Sequence, residues 1–152
     1  MTKREKAAAY FKSGFNCAQS AFTALAAGEG ISEENCLKMT TPFGAGMVYR
    51  GEACGAITGS MMALGLFHGK SKTDDFDSKE LTYLLVDELK RKFEAKHGSI
   101  YCRKLLNMEN SGREEWEKAE KLGYFETKCP VFVNDAVLIT EQLMEKLSNT
   151  IK

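Results

Sequence analysis

The 152-residue sequence lacks a charge excess, a long hydrophobic run and any pair of cysteines with two residues between them. Lys and Arg together number 21 and Asp and Glu also number 21, so the formal net charge is zero. A nucleic-acid-binding protein would be expected to carry a basic excess or stripe. The least charged stretch, residues 53–69, is shorter than the ~20 residues that a membrane helix needs. We therefore expect no nucleic-acid partner and no membrane span.

Five cysteines are the informative feature of the composition. The sequence begins with charged, amphipathic residues and no apolar signal segment, so we expect a cytoplasmic protein. In a reducing compartment, cysteines are more often metal ligands or redox groups than members of structural disulfides. The odd number also argues against a fully paired disulfide framework. The alternative for each cysteine is a small, buried hydrophobic residue.

Prolines are rare, and long segments repeat their apolar residues at helical period with no alternating runs. The sequence therefore predicts an all-α fold: one domain over residues 1–152, built as a compact bundle of about six helices. A long amphipathic helix ending near Lys96 is expected to turn one apolar side to the core. The residues of that side are Phe76, Tyr83, Leu84, Val86, Leu89 and Phe93. The segment 109–128 is expected on the surface, anchored by aromatic residues.

The stretch GEACGAITGSMMALGLFHG, residues 51–69, predicts a buried, glycine-rich helix from about Glu52 to Phe67. Gly51, Gly55 and Gly59 are four residues apart and would share one face of such a helix. A face of small residues allows another backbone to come close. It would admit a partner chain, which makes a homodimer reasonable, or a bound group beside the cysteine in this segment.

Four of the five cysteines fall at predicted helix N-termini, and these are Cys17, Cys54, Cys102 and Cys129. Asn16 is predicted to cap the helix of Cys17, and Ser99 the helix of Cys102. A helix N-terminus stabilises a thiolate, the form that binds metals and attacks disulfides. Because the four are far apart in sequence, a shared site must be assembled by the tertiary fold. Cys36 differs, since it lies inside a short predicted helix that starts near Ser32.

The box CGAITG, residues 54–59, together with the three other cysteines resembles a known family. It is similar to the small redox-active proteins named for their cysteine pattern, C_GCAxxG_C_C. Cys17 in FNCAQSAF, Cys102 in GSIYCRKLL and Cys129 in KCPVFVNDAV follow the family order, over residues about 14 to 140. The resemblance implies redox activity through these four cysteines, with Cys36 outside the pattern. A similar four-cysteine domain associated with cytochromes suggests an iron–sulfur centre by analogy.

Three hypotheses follow for these cysteines. In the first, Cys17, Cys54, Cys102 and Cys129 ligate an iron–sulfur cluster, [2Fe–2S] being favoured, for electron transfer or redox sensing. Gly55 and Gly59 would then belong to the cofactor-binding surface. The lack of a local pair of cysteines, which usually anchors a cluster, argues against it.

The second hypothesis is a metal-free thiol–disulfide protein, a possible oxidoreductase. Cys54 is the candidate attacking thiol because its surroundings are small, and Cys129 is the alternative. Its partner would be a redox protein or a small oxidant or reductant. The third hypothesis is a structural zinc site or simple core cysteines. The sequence leaves all three open.

Overall fold

A computed structural model describes residues 1–151, and within them it contains helices and no β-strand, which confirms the all-α prediction. The helices are α1 Lys3–Lys12, α2 Cys17–Ala26, α3 Glu33–Thr40, a 3-10 helix Thr41–Phe43, α4 Gly44–Val48, α5 Gly55–His68, α6 Phe76–His97, α7 Cys102–Leu105, α8 Arg113–Lys121, α9 Tyr124–Thr127 and α10 Cys129–Ile151. The prediction of about six helices was too low. The additional helices are α4, within the glycine-rich loop predicted at about residues 42–51, and α8 and α9, within the surface segment 109–128.

The glycine-rich helix α5 is buried along most of its length, as predicted. It packs chiefly against α2, and α1, α6 and α10 complete the bundle around this pair. A Cβ atom built on Gly59 would lie 2.7 Å from the carbonyl oxygen of Ala18 and 3.1 Å from the amide nitrogen of Phe22. The two helix backbones are therefore in direct contact, which only glycine permits at this position.

Asn16 caps α2, as the sequence predicts. Its side-chain oxygen accepts a hydrogen bond from the Gln19 backbone amide at 2.9 Å. The Gln19 side-chain oxygen accepts one from the Asn16 amide at the same distance, which completes a reciprocal capping box. The cap fixes Cys17 as the first residue of the helix.

The helix that follows the glycine loop begins later than predicted, at Gly55 and not at Glu52. The preceding residues are extended because they pair with another segment, where Ala53 and Tyr101 form an isolated antiparallel bridge. The Cys54 amide donates to the Ile100 carbonyl at 2.8 Å, and the Cys102 amide donates to the carbonyl of residue 52 at 2.7 Å. Gly51 therefore lies before the helix, so its predicted place on a common helical face with Gly55 is wrong.

The short helix α7 does not use the predicted cap. Its N-cap residue is Tyr101, which makes no side-chain capping bond. The Ser99 hydroxyl oxygen instead accepts a hydrogen bond from the Tyr101 amide at 3.0 Å. The pairing of residues 51–54 with residues 100–103 sets where α7 begins, and this long-range contact left no local signal.

The turn α4 is left-handed. Five successive residues, 45–49, have positive φ angles between 54° and 68°, and four of them are not glycine. This conformation costs roughly 1–2 kcal/mol for each non-glycine residue. Val48 is the most constrained of them, because a β-branched side chain tolerates positive φ poorly. The sequence predicts only a loop here, so the turn is a finding of the structure.

The predicted apolar side of the long helix α6 is wrong for three residues. Phe76, Tyr83 and Leu84 are 66%, 64% and 57% exposed. A narrower stripe faces the core, and it includes Leu89 and Phe93 as predicted. The apolar residues of α6 are spread around more of the helix than one contact surface can cover, so some of them face solvent. No helix within residues 1–151 is both long enough and apolar enough to cross a membrane.

A buried carboxylate joins α6 to α10. Asp135 accepts hydrogen bonds from Lys96 at 3.0 Å and from Asn134 at 3.1 Å, and it contacts His97 at 2.8 Å. Burial alone would raise the pKa of Asp135, but its hydrogen bonds outweigh that effect and lower the pKa below its ordinary value.

Candidate four-cysteine site

One small, enclosed cavity is lined by all four cysteines of the predicted site. They are Cys17, Cys54, Cys102 and Cys129. The cavity volume is about 10 Å³, close to what one water molecule requires. Cys36 is not among the lining residues and lies buried within α3. The structure thus brings together the four cysteines that the sequence groups and leaves out the fifth.

Helix starts position these cysteines, as the sequence predicts. Cys17 and Cys129 are the first residues of α2 and α10, and Cys54 is the N-cap residue of α5. The unpaired amides and partial positive charge of these three long helices therefore lie beside the thiols. Cys102 begins the four-residue α7, and its pairing with residue 52 holds it in place.

The thiol of Cys17 lies close to two others. Hydrogen bonds to Cys129 and Cys54, followed by burial, raise the pKa of Cys17 well above its ordinary value. The hydrogen bond with Cys17 lowers the pKa of Cys54. The backbone amides of Ala56 and Ile57 lower it further, and together these effects outweigh burial, which would raise it. Without a bound metal, Cys54 is therefore the more acidic thiol of the two.

The thiol of Cys102 is also held in its neutral form. Burial, and then the proximity of Cys54 and Cys129, raise the pKa of Cys102 far above its ordinary value. Negative charge on several of these sulfurs at once is unfavourable unless a cation is shared among them. The electrostatics therefore suit either neutral thiols or a bound metal centre.

Gly46 and Gly55 line the cavity and allow their backbone to pack closely against neighbouring residues. A Cβ atom on Gly55 would lie 2.7 Å from the Ala18 amide nitrogen and 3.1 Å from the Cys17 Cβ. A Cβ on Gly46, in the left-handed turn, would lie 2.7 Å from the Cys102 Cβ. Gly59, predicted to bind a cofactor, lies one turn beyond the cavity at the α2–α5 contact. Its role in cofactor binding stays a prediction.

Apolar side chains and the left-handed turn close the rest of the cavity. These residues are Ala45, Leu105, Leu106, Trp116 and Phe132. The sequence does not indicate that these residues belong to the site, because they come from four separate segments of the chain. The one available signal was Trp116, the only tryptophan of the chain, inside an otherwise charged segment. Cys17 is the only one of the four cysteines that is not fully buried.

All five cysteines are free thiols. As the side chains stand, no three His, Cys, Asp or Glu groups within the described chain are arranged to hold one metal ion. The donor set itself suits a metal centre, because four thiols meet in an apolar enclosure with no other ionisable side chain in its lining. Entry of a cluster would require the thiols to rotate away from one another.

Comparison with protein families decides the classification. A family model described as "Putative redox-active protein (C_GCAxxG_C_C)" matches residues 15–143. The chain belongs to this family. The match includes all four cysteines of the cavity and the CGAITG box, so the resemblance noted in the sequence is confirmed. No curated protein and no solved structure matched the chain.

Proposed function

We propose that this redox-active family member uses Cys17, Cys54, Cys102 and Cys129 to hold an iron–sulfur cluster, [2Fe–2S] in type. The observation that carries the proposal is the convergence of these four thiols, from four separate segments, on one enclosed cavity. Four cysteine thiolates are the standard ligand set of such clusters. When bound, a cluster of this kind takes up and releases one electron.

The number of converging cysteines favours a cluster over a disulfide. A disulfide uses two sulfurs, and here a third and fourth line the same cavity. Cys17 also lies close to both Cys54 and Cys129, so the arrangement defines no unique pair. An occupant that uses all four thiols accounts for each of them.

A structural zinc site would use the same four cysteines around a single ion. Acid-labile sulfide distinguishes the two, because a cluster contains sulfide and a zinc site does not.

The surrounding residues have definable roles in such a centre. The amides of Ala56 and Ile57 hydrogen-bond the sulfur of Cys54 and would offset negative charge there. Trp116 and Phe132 wall the cavity and restrict water. Hydrogen bonds to sulfur and solvent exposure are two factors that set the reduction potential of a cluster. The electrons would be exchanged with a redox protein or a small molecule.

The test uses wild-type protein purified without oxygen. The same sample is examined by visible absorption spectroscopy and analysed for iron, zinc and acid-labile sulfide. We expect visible charge-transfer bands, iron and sulfide in near-equal amounts, and little zinc. A colourless protein that stays free of iron and sulfide after reconstitution contradicts the proposal. Zinc without sulfide would support a structural zinc site.

A second candidate is metal-free thiol–disulfide exchange. The proximity of Cys17 to the more acidic Cys54 favours it. The Cys54 thiolate would attack a disulfide of a partner, and the Cys17 sulfur would then displace the mixed disulfide. The pair ends oxidised as one disulfide, and the partner receives two electrons and two protons as two thiols. Mass spectrometry after oxidation distinguishes this candidate by a single 17–54 disulfide in metal-free protein.

A further inference from the structure

A cleft of about 730 Å³ opens to solvent directly beside the cysteine cavity. It lies between α1, the loop that follows α1, the helices α8 and α9, and the start of α10. Cys17 and Cys129 line both this cleft and the cysteine cavity. The cleft therefore adjoins two of the four cysteines, of which Cys17 is the more exposed.

Four half-buried aromatic rings line this cleft, and they are Phe11, Phe15, Trp116 and Phe125. The rings of Trp116 and Phe125 lie 4.5 Å apart between centroids and are tilted by 33°. Aromatic rings favour offset stacking with other rings at such distances. The volume falls in the range of small-molecule sites, about 300–1,000 Å³. A flat aromatic ligand fits this lining better than a flexible polar one.

The charged side chains that line the cleft further restrict the kind of ligand it can bind. The cleft contains one cationic side chain, Lys12, and two acidic ones, Glu120 and Glu126. A net negative lining disfavours ligands that carry phosphate or other anionic groups. This argues against a nucleotide cofactor and favours a neutral aromatic molecule.

We propose that this cleft binds a neutral, planar redox molecule of the quinone class, with its ring between the aromatic side chains and its edge towards Cys17 and Cys129. The choice of a redox-active ligand rests on the proposed function. The binding site itself rests on the cleft, its rings and its charge.

The single tryptophan makes binding measurable, because Trp116 lies in the cleft. The probe is a naphthoquinone whose quinone ring is fully methylated, which blocks addition of thiols. We expect saturable quenching of the tryptophan fluorescence. A sulfonated naphthoquinone of similar size should bind at least about tenfold more weakly, a difference of about 1.4 kcal/mol. Equal or tighter binding of the sulfonate would overturn the assignment to a neutral ligand.

Two neighbouring alanines provide a matched pair of variants. Ala8 and Ala9 are both exposed on α1, and only Ala8 lines this cleft. Ala8→Phe should fill the cleft and weaken quinone binding at least about tenfold, whereas Ala9→Phe should change the dissociation constant less than about twofold. Linear, unsaturable quenching, or the same effect of both variants, would overturn the proposal. So would a dimer that occludes the cleft and prevents binding.

Running the titration on iron-free and on iron-loaded protein separates this inference from the proposed function. Quinone binding by protein that fails to assemble iron and sulfide would uphold the cleft and contradict the cluster. A full complement of iron and sulfide with no quinone binding would uphold the cluster and overturn the cleft assignment.

Discussion

Adding one methyl group at Gly55 tests the closest contact beneath the cysteine site. In Gly55→Ala, the new Cβ would lie 2.7 Å from the Ala18 amide nitrogen and 3.1 Å from the Cys17 Cβ. The first of these atoms belongs to the backbone of α2, so it cannot move aside without shifting the helix. The matched control is Gly65→Ala in the same helix, where a Cβ meets nothing within 4 Å.

The two substitutions should change stability in opposite directions. Overpacking of this kind costs typically about 1–3 kcal/mol. Alanine recovers at most ~1 kcal/mol through helix propensity. We therefore expect Gly55→Ala to destabilise the fold by up to about 2 kcal/mol after the two effects are combined. Gly65→Ala carries only the propensity gain, so it should stabilise the fold by about 0.5–1 kcal/mol.

The measurement is urea and thermal unfolding followed by far-ultraviolet circular dichroism, on reduced, metal-free protein. At this chain length 1 kcal/mol shifts Tm by roughly 2–4 °C, so the two variants should straddle the wild type by several degrees. If Gly55→Ala were as stable as Gly65→Ala, the close approach of α5 to α2 at the cysteine site would be refuted.

Three further predictions concern the left-handed turn and the buried carboxylate. Val48→Gly should stabilise the fold by about 0.5–1 kcal/mol in urea unfolding, because it relieves a β-branched residue at φ 54°. Gly46→Ala should destabilise it by about 1–3 kcal/mol more than Gly98→Ala. Both glycines have positive φ, but only a Cβ on Gly46 would strike a neighbouring Cβ, at 2.7 Å; equal losses would contradict that contact. The lowered pKa of Asp135 means that its stabilising effect is present above its ordinary pKa and lost as pH falls through the folded value. Unfolding below about pH 4 should therefore be less acid-sensitive in Asp135→Asn than in wild type, and parallel pH profiles would refute this.

Local signals account for the parts of the fold that the sequence predicted well. The charged, amphipathic start of the sequence is typical of a surface helix, and α1 runs from Lys3 to Lys12. Asn16 caps α2 because an asparagine side chain can satisfy amides two or three residues along. Local sequence signals also predict Cys17 and Cys129 at helix starts, and both are the first residues of their helices. Convergence of the cysteines followed from their shared position at helix ends and from the family resemblance.

Long-range contacts account for what the sequence did not predict. The start of α5 at Gly55 depends on the pairing of Ala53 with Tyr101, which lies 48 residues further along the chain. Only one of the five left-handed residues 45–49 is glycine, so the local sequence gives no sign of a left-handed turn. His97 on α6 pairs with Asp135 on α10, residues that are 38 positions apart in the sequence. None of these contacts leaves a periodic pattern.

The most direct test of the central claim is the iron and acid-labile sulfide content of five single Cys→Ser variants, purified side by side without oxygen. The cavity is lined by Cys17, Cys54, Cys102 and Cys129, and Cys36 lies outside it. The account predicts that each of the four cavity variants loses most of its iron and sulfide while Cys36→Ser retains the wild-type amounts. Retention of the full cluster by any of the four, or an equal loss in Cys36→Ser, would contradict a single centre built from these cysteines.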